Sequence, residues 1–519
     1  MGKKQHRREF LTKASGVALA FPFVSRLQRS GLAAPGFDPS FGMAHQAISA
    51  LKGGSISSSE LLDHTLARIR KYNPKIEAFI TLNEEEARRR AKLADAALVQ
   101  GEPWGRLHGL PILVKDTFET AGLRTTSGSK LLENYLPARD AIAVARLKAA
   151  GAIVIGKTNM PEFASDMQSY NELAETTNNP WDLSRTPGGS TGGGAAALAA
   201  GFGFLELGSD IGGSIRTPCH FCGVYGHKPT LNLVPLKGHI PPAPGAWAPE
   251  QDLGVVGPMA RSARDLRLEL QVIGGPGPFE NTAYSWALPD ARGTALKDFR
   301  IGYVLDDPFC PVSPEVRDPL EKAIEKLRKA GAKLTEGWPE DYGPGEAFEL
   351  YLRLLGAAFS DAITPEERQL MSENLESSWG HYAKGWLEGS SMTHEEWSAR
   401  SGQRLKMRAI WQKYFQSQDT FLMPVNIVPA FAHDQELSFF ERILATSAGA
   451  RQYGDMLRWI SPATLTGCPS TVAPVGQTAD GLPVGIQILG PFMEDATPIA
   501  LAECLAGALG GFASPPGFE

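Results

Sequence analysis

The chain has 519 residues, of which 43% are hydrophobic and 21% charged, and its formal net charge is −6. This is the balance of an ordinary soluble globular protein, and with no basic stripe beyond the N-terminus it excludes a charge-driven nucleic-acid binder. No run of about 18 or more apolar residues occurs, so no membrane-spanning helix is expected.

The first 35 residues differ from the rest. Lys3, Lys4, Arg7 and Arg8 give a basic start, and the segment from Arg7 to Lys13 (RREFLTK) resembles a twin-arginine export signal. An apolar run from Ala14 to Val24 follows, then a looser segment ending at Ala33-Ala34-Pro35. Basic start, short apolar run and small residues make a targeting layout. Residues 1–35 therefore read as a signal peptide, which predicts a periplasmic or secreted protein. Arg26 and Arg29 blur the cleavage site, and the alternative is a basic tail on a cytoplasmic protein.

Further along, Ser57-Ser-Ser-Glu60 is a capping box, with a helix to follow until Asn73-Pro74 stops it. Glu84 to Leu98 reads as a second, largely solvated helix. Ile112 to Val114 is a short buried strand with Lys115-Asp116 at its end. Asp140 to Ala150 is an amphipathic helix closed by Gly151, and Ala152 to Ile155 the next strand. That rhythm implies parallel pairing through a helical crossover. Gly192 to Ala200 reads as a small-residue helix and Phe202 to Leu207 as another strand. The pattern loosens between 285 and 460, where prolines separate helices such as Val316–Ala330 and Glu395–Gln416. Pro483 to Leu489 returns to an apolar strand before a last helix over Ala496–Leu509. The fold class is α/β, with a mixed, largely parallel central sheet covered by helices on both faces.

Residues 187–216 concentrate the chemistry. Ser190 and Ser214 each sit among glycines, which let backbone N–H groups approach a ligand closely. Such groups are what acyl transfer needs to hold an oxyanion. Lys115 ends an apolar segment, where a buried ammonium is costly unless it loses its proton. No histidine lies in the glycine-rich motifs, so the base for a serine nucleophile must come from elsewhere, and Lys115 is the candidate. Cys219 and Cys222 form a CxxC unit around His220, but no second half of a zinc site follows, and packed thiols account for them. No metal and no cofactor is expected.

Three motifs, GLPILVKD (109–116), PGGSTGG (187–193) and GSDIGGSIRTP (208–218), together resemble the amidase signature family of serine hydrolases. CGVYGHKPT (222–230), GPMARSARDL (257–266), TGCPSTVAPVG (466–476) and GLPVGIQILG (481–490) extend the likeness. The resemblance implies a catalytic set of Lys115, Ser190 and Ser214, with Ser190 on a cis peptide bridging lysine and nucleophile. It further implies an oxyanion hole of backbone N–H groups from Ile211, Gly212, Gly213 and Ser214. Thr191, Asp210 and Arg216 are read as supports; Thr191 stands where the family more often has a second serine, and Asp116 is read as structural. Ser190 could also cap the helix that follows it. His227 and Leu231-Asn232 depart from the family pattern.

Residues 36–519 then form one domain: a helical layer (36–100), a catalytic core (105–270), a variable substrate-shaping region (285–460) and a C-terminal return to the core (461–519). The expected reaction is hydrolysis of a carboxamide C–N bond to acid plus ammonia or amine, with ester, carbamate and hydrazide substrates open. The expected partner is a small-molecule amide, with a homodimer left open. Two alternatives remain: the glutaminase subunit of a tRNA-dependent amidotransferase, and a non-catalytic binding protein of the same fold. Trp338, Trp379, Trp386, Trp397 and Trp411 could line a pocket but read more naturally as core.

Overall fold

The computed structural model describes residues 37–245 and 251–519. The signal-peptide reading of residues 1–35 lies outside them. Eleven strands form the central sheet: β1 (Phe79–Leu82), β2 (Pro111–Lys115), β3 (Ile153–Thr158), β4 (Leu205–Asp210), β5 (Tyr225–Lys228), β6 (Val255–Ala260), β7 (Arg300–Tyr303), β8 (Lys333–Glu336), β9 (Thr420–Pro424) and, beyond a separate hairpin of β10 (Ile443–Thr446) and β11 (Gly449–Gln452), β12 (Ser470–Gln477) and β13 (Pro483–Leu489). Their spatial order is β1-β3-β2-β4-β6-β5-β12-β13-β9-β7-β8.

The sheet is mixed. β2 pairs in parallel with both β3 and β4, and β7 with both β8 and β9. The strands between these two blocks run antiparallel, from β4 through β6, β5, β12 and β13 to β9. Side chains alternate across each strand, and here both faces are buried. In β2, Ile112 and Val114 join the larger apolar cluster on one face. Leu113 points the other way, into a cluster with Ile153, Ile155 and helix residues Leu62, Leu66 and Ile69. A sheet clad on both sides leaves the ionisable side chain at the end of β2 wholly buried.

Several boundaries differ from expectation. The helix capped by Ser57, whose Oγ accepts from the Glu60 N–H, runs Ser58–Ile76 instead of stopping at Asn73-Pro74. A proline in the last turn removes one hydrogen bond but leaves the turn standing, and Glu77, at φ 55°, ends the helix. The strand expected at Phe202–Leu207 begins at Leu205 and runs to Asp210, because residues 201–204 are used in the turn after the helix Gly192–Ala199. Its extension carries Ser209 and Asp210 into the site. Thr191, not Ser190, occupies the N-cap of Gly192–Ala199, so the capping role considered for Ser190 does not hold.

The five tryptophans are packing residues. Trp411 is fully buried, and Trp338 stacks on Phe421 and Trp459 at 5.4 and 5.9 Å. Among the described residues no helix is long and apolar enough to cross a membrane.

Candidate active site

Lys115 closes β2 and is wholly buried. Its Nζ lies 2.6 Å from Ser190 Oγ and 3.0 Å from Ser209 Oγ. Burial pushes its pKa down to about 7, against the opposing pull of Glu206 and Asp210. An amine so placed is a base near neutral pH rather than a fixed cation.

The peptide bond Gly189–Ser190 is cis. Gly189 is obligatory on steric grounds: a Cβ there would stand 2.6 Å from both the backbone nitrogen and oxygen of Gln168. Ser190 and Ser214 line one cleft together with Ser209. The Thr191 N–H donates to the carbonyl of Ser214 at 3.1 Å, which pins the two serine segments together.

Asp210 organises the loop that carries Ser214. Its carboxylate accepts from the N–H groups of Gly213 (3.1 Å) and Ile215 (3.0 Å) and pairs with Arg216 at 2.8 Å. Burial would raise this carboxyl, but Arg216 and the backbone donors outweigh it and hold it below the ordinary aspartate range. Arg216 is itself fully buried and spends its remaining donors on the Ile460 carbonyl and Thr464 Oγ1. Both residues are therefore occupied in shaping the loop.

Gly213 departs from expectation. Its N–H, which the family resemblance placed among the oxyanion donors, is turned to Asp210 Oδ1. Gly213 instead supplies the turn, at φ 93°.

Sequence reasoning missed three residues. Ser209 is the second partner of Lys115, readable only as a hydroxyl next to Asp210. Glu206 is buried on β4, accepts from Thr158 Oγ1 at 2.7 Å, and is raised by burial to about 8. His239 lines the cleft, with Nδ1 3.0 Å from the Pro241 carbonyl, and burial lowers it to about 4. It lies beyond the glycine-rich motifs, where nothing in its neighbours marks it.

Other residues settle into packing roles. Asp116 accepts from the Thr126 N–H at 2.9 Å. In the CxxC helix, His220 Nδ1 accepts from the Gly485 N–H at 2.9 Å and Nε2 faces the Val428 carbonyl at 3.2 Å, so its ring is fully engaged. His227 bridges Thr471 Oγ1 and Asp495 at 2.8 and 3.1 Å. Among the described residues no three metal-binding side chains converge.

The family model named Amidase matches residues 60–498. The chain belongs to the amidase family. Among curated relatives, a glutamyl-tRNA(Gln) amidotransferase subunit of Roseiflexus sp. (strain RS-1) is 35% identical over 495 residues, covering 88% of this chain and 94% of that one. The corresponding subunit of Thermus thermophilus is 36% identical over 476 residues, covering 87% and 94%. Among solved structures, a 6-aminohexanoate cyclic dimer hydrolase superposes with a TM-score of 0.75 at 26% identity, covering 93% of this chain and 99% of its own. A structure described as an amidase gives 0.73 at 28% identity, covering 90% and 100%. The protein is an enzyme of the amidase class, acting on amide C–N bonds, and its α/β fold is that of the amidase signature enzymes.

Proposed function

We propose that this amidase works through an acyl-enzyme on Ser214, with Ser190 and Lys115 as the proton relay. The observation that carries the reading is the buried Lys115 Nζ, 2.6 Å from Ser190 Oγ and poised near neutrality by burial. Lys115 takes the proton of Ser190 as Ser190 takes that of Ser214, and Ser214 Oγ bonds to the amide carbon. The backbone N–H groups of Ile211, Gly212 and Ser214 receive the oxyanion; one such donor is typically worth about 3 kcal/mol. The proton returns through the serines to the leaving nitrogen, the C–N bond breaks, and water hydrolyses the ester by the same route.

Ammonia or amine release from a panel of amides, with Ser214→Ala alongside, tests this. Activity on some amide and none in the variant is expected. Equal rates in the two proteins would remove Ser214 from the mechanism.

The order of basic, apolar and small residues in 1–35 supports export by a twin-arginine route, with residues 36–519 as the working domain. Cell fractionation with N-terminal sequencing checks it, and Met1 retained on an exported protein would argue against cleavage. The names of the Roseiflexus and Thermus relatives favour a second reading, a cytoplasmic glutaminase subunit with partner chains. Glutamine-dependent ammonia release and co-purifying partners would be its signature.

A further inference from the structure

Ser190 and Ser214 lie at one cleft, together with Ser209 and Asp210. Its walls are mainly apolar: Leu236, Pro241 and Val255, with Phe163 and Phe359 contributing aromatic rings from separate parts of the chain.

The backbone of one residue and the ring of the other are held in place. Phe163 and Ala164 are successive non-glycine residues with left-handed backbones, at φ 47° and 60°. Such conformations persist only where the surroundings over-determine them, and they cluster at ligand sites. Here the Phe163 N–H donates to the Ser127 carbonyl at 2.8 Å, the Ala164 N–H to the Pro161 carbonyl at 3.0 Å, and Ser129 Oγ to Glu162 at 2.6 Å. The loop also packs on Gly128, where a Cβ would lie 3.0 Å from the Met160 carbonyl oxygen and 3.1 Å from that of Pro161. Phe359, at the end of the helix Pro344–Ala358, is steadied by stacking on Trp386 at 5.6 Å.

The cleft is also poor in usable charge. No described residue lining it is an arginine or lysine, and its acid, Asp210, is already paired with Arg216 and backbone N–H groups. His239 stays neutral at working pH, since burial lowers it to about 4. Glutamine brings an ammonium and a carboxylate, and an ion leaving water is costly unless a partner meets it.

We infer that the substrate is an uncharged amide bearing an aromatic or similarly compact apolar group seated against Phe163 and Phe359, and that free glutamine is excluded. This rests on the amidase reading of the same cleft, and it decides against the glutaminase alternative. The base and nucleophile fix where the carbonyl sits; the two rings select what is attached to it.

Binding and turnover separate the two claims. Ser214→Ala protein is titrated calorimetrically with phenylacetamide (ring on the acyl side), acetanilide (ring on the amine side), acetamide and glutamine. At least one aromatic amide binds about tenfold or more tightly than acetamide, with no glutamine binding at the same concentration. The wild type then hydrolyses the amide that binds, and the better of the two tells which side carries the ring. Phe163→Ala and Phe359→Ala each lower the aromatic-to-acetamide ratio of kcat/KM about tenfold. Phe→Leu at the same positions, which keeps bulk but not the ring, substitutes where the alanine variant does not fold. Glutamine binding as tightly as either aromatic amide, or an unchanged ratio in the variants, overturns the inference. Aromatic binding without turnover of any amide supports it and sinks the proposed relay instead.

Discussion

Tyr351 Oη donates a 3.1 Å hydrogen bond to the carbonyl oxygen of Ile211. A fully buried phenol from the variable region thus holds the loop proposed to receive the oxyanion, 140 residues earlier in the chain. Tyr351→Phe deletes the bond to this half-buried carbonyl, which costs about 0.5–1.5 kcal/mol. Because the carbonyl belongs to the loop, kcat is expected to fall several-fold while KM changes less. A variant with unaltered kcat would disconnect this tether from catalysis.

Arg216 and Asp210 form a fully buried ion pair. Arg216→Ala leaves the buried carboxylate with only its backbone donors, and stability is expected to drop by about 3–5 kcal/mol. Urea unfolding measures it. A loss below about 1 kcal/mol would mean that the N–H groups of residues 213, 215 and 216 suffice alone.

The pH dependence follows from Lys115. Its proton affinity is lowered by burial to about 7, and only the free amine can act as base. Below that value kcat/KM should fall about tenfold per pH unit, and Lys115→Met should be inactive throughout. Stability has the opposite relation to this residue. Between about 7 and 10.5 the unfolded chain binds a proton that the folded lysine does not, so the contribution of Lys115 to wild-type stability rises with pH across that window. The methionine variant lacks this slope. It is therefore expected to gain most over wild type near pH 7 and progressively less toward pH 10, read by denaturant unfolding at both ends.

Gly189→Ala tests the local fit of the serine segment. The added methyl meets the Gln168 backbone at 2.6 Å, and backbone cannot rotate aside as a side chain can. Destabilisation of about 1–3 kcal/mol is expected, together with loss of activity as Ser190 is displaced from Lys115. Full activity in a stable variant would show that the segment can shift without harm.

The legible part of the site was local. The glycines around Ser190 and Ser214, and the lysine closing an apolar strand, carry the proposed roles within a few residues of themselves. The same holds for β2, β3 and β13 and for most helices, whose periodicity and caps lie within the segment. Where expectation slipped, a neighbour from elsewhere intervened. The Gly213 N–H was spent on Asp210, and β4 began three residues late because a turn took up residues 201–204.

By itself, the order of residues settled the α/β class and the family motifs and nominated the three groups proposed for proton transfer, because each depends on short-range pattern and residue chemistry. Tertiary structure alone decided that Ser209 would meet Lys115 from 94 positions away, that His239 and Phe359 would face one cleft, and that five tryptophans would serve packing. The physical reason is burial. A side chain's proton affinity, its free hydrogen-bonding capacity and its access to substrate are set by what surrounds it, and most of those surroundings come from distant sequence brought together by the sheet.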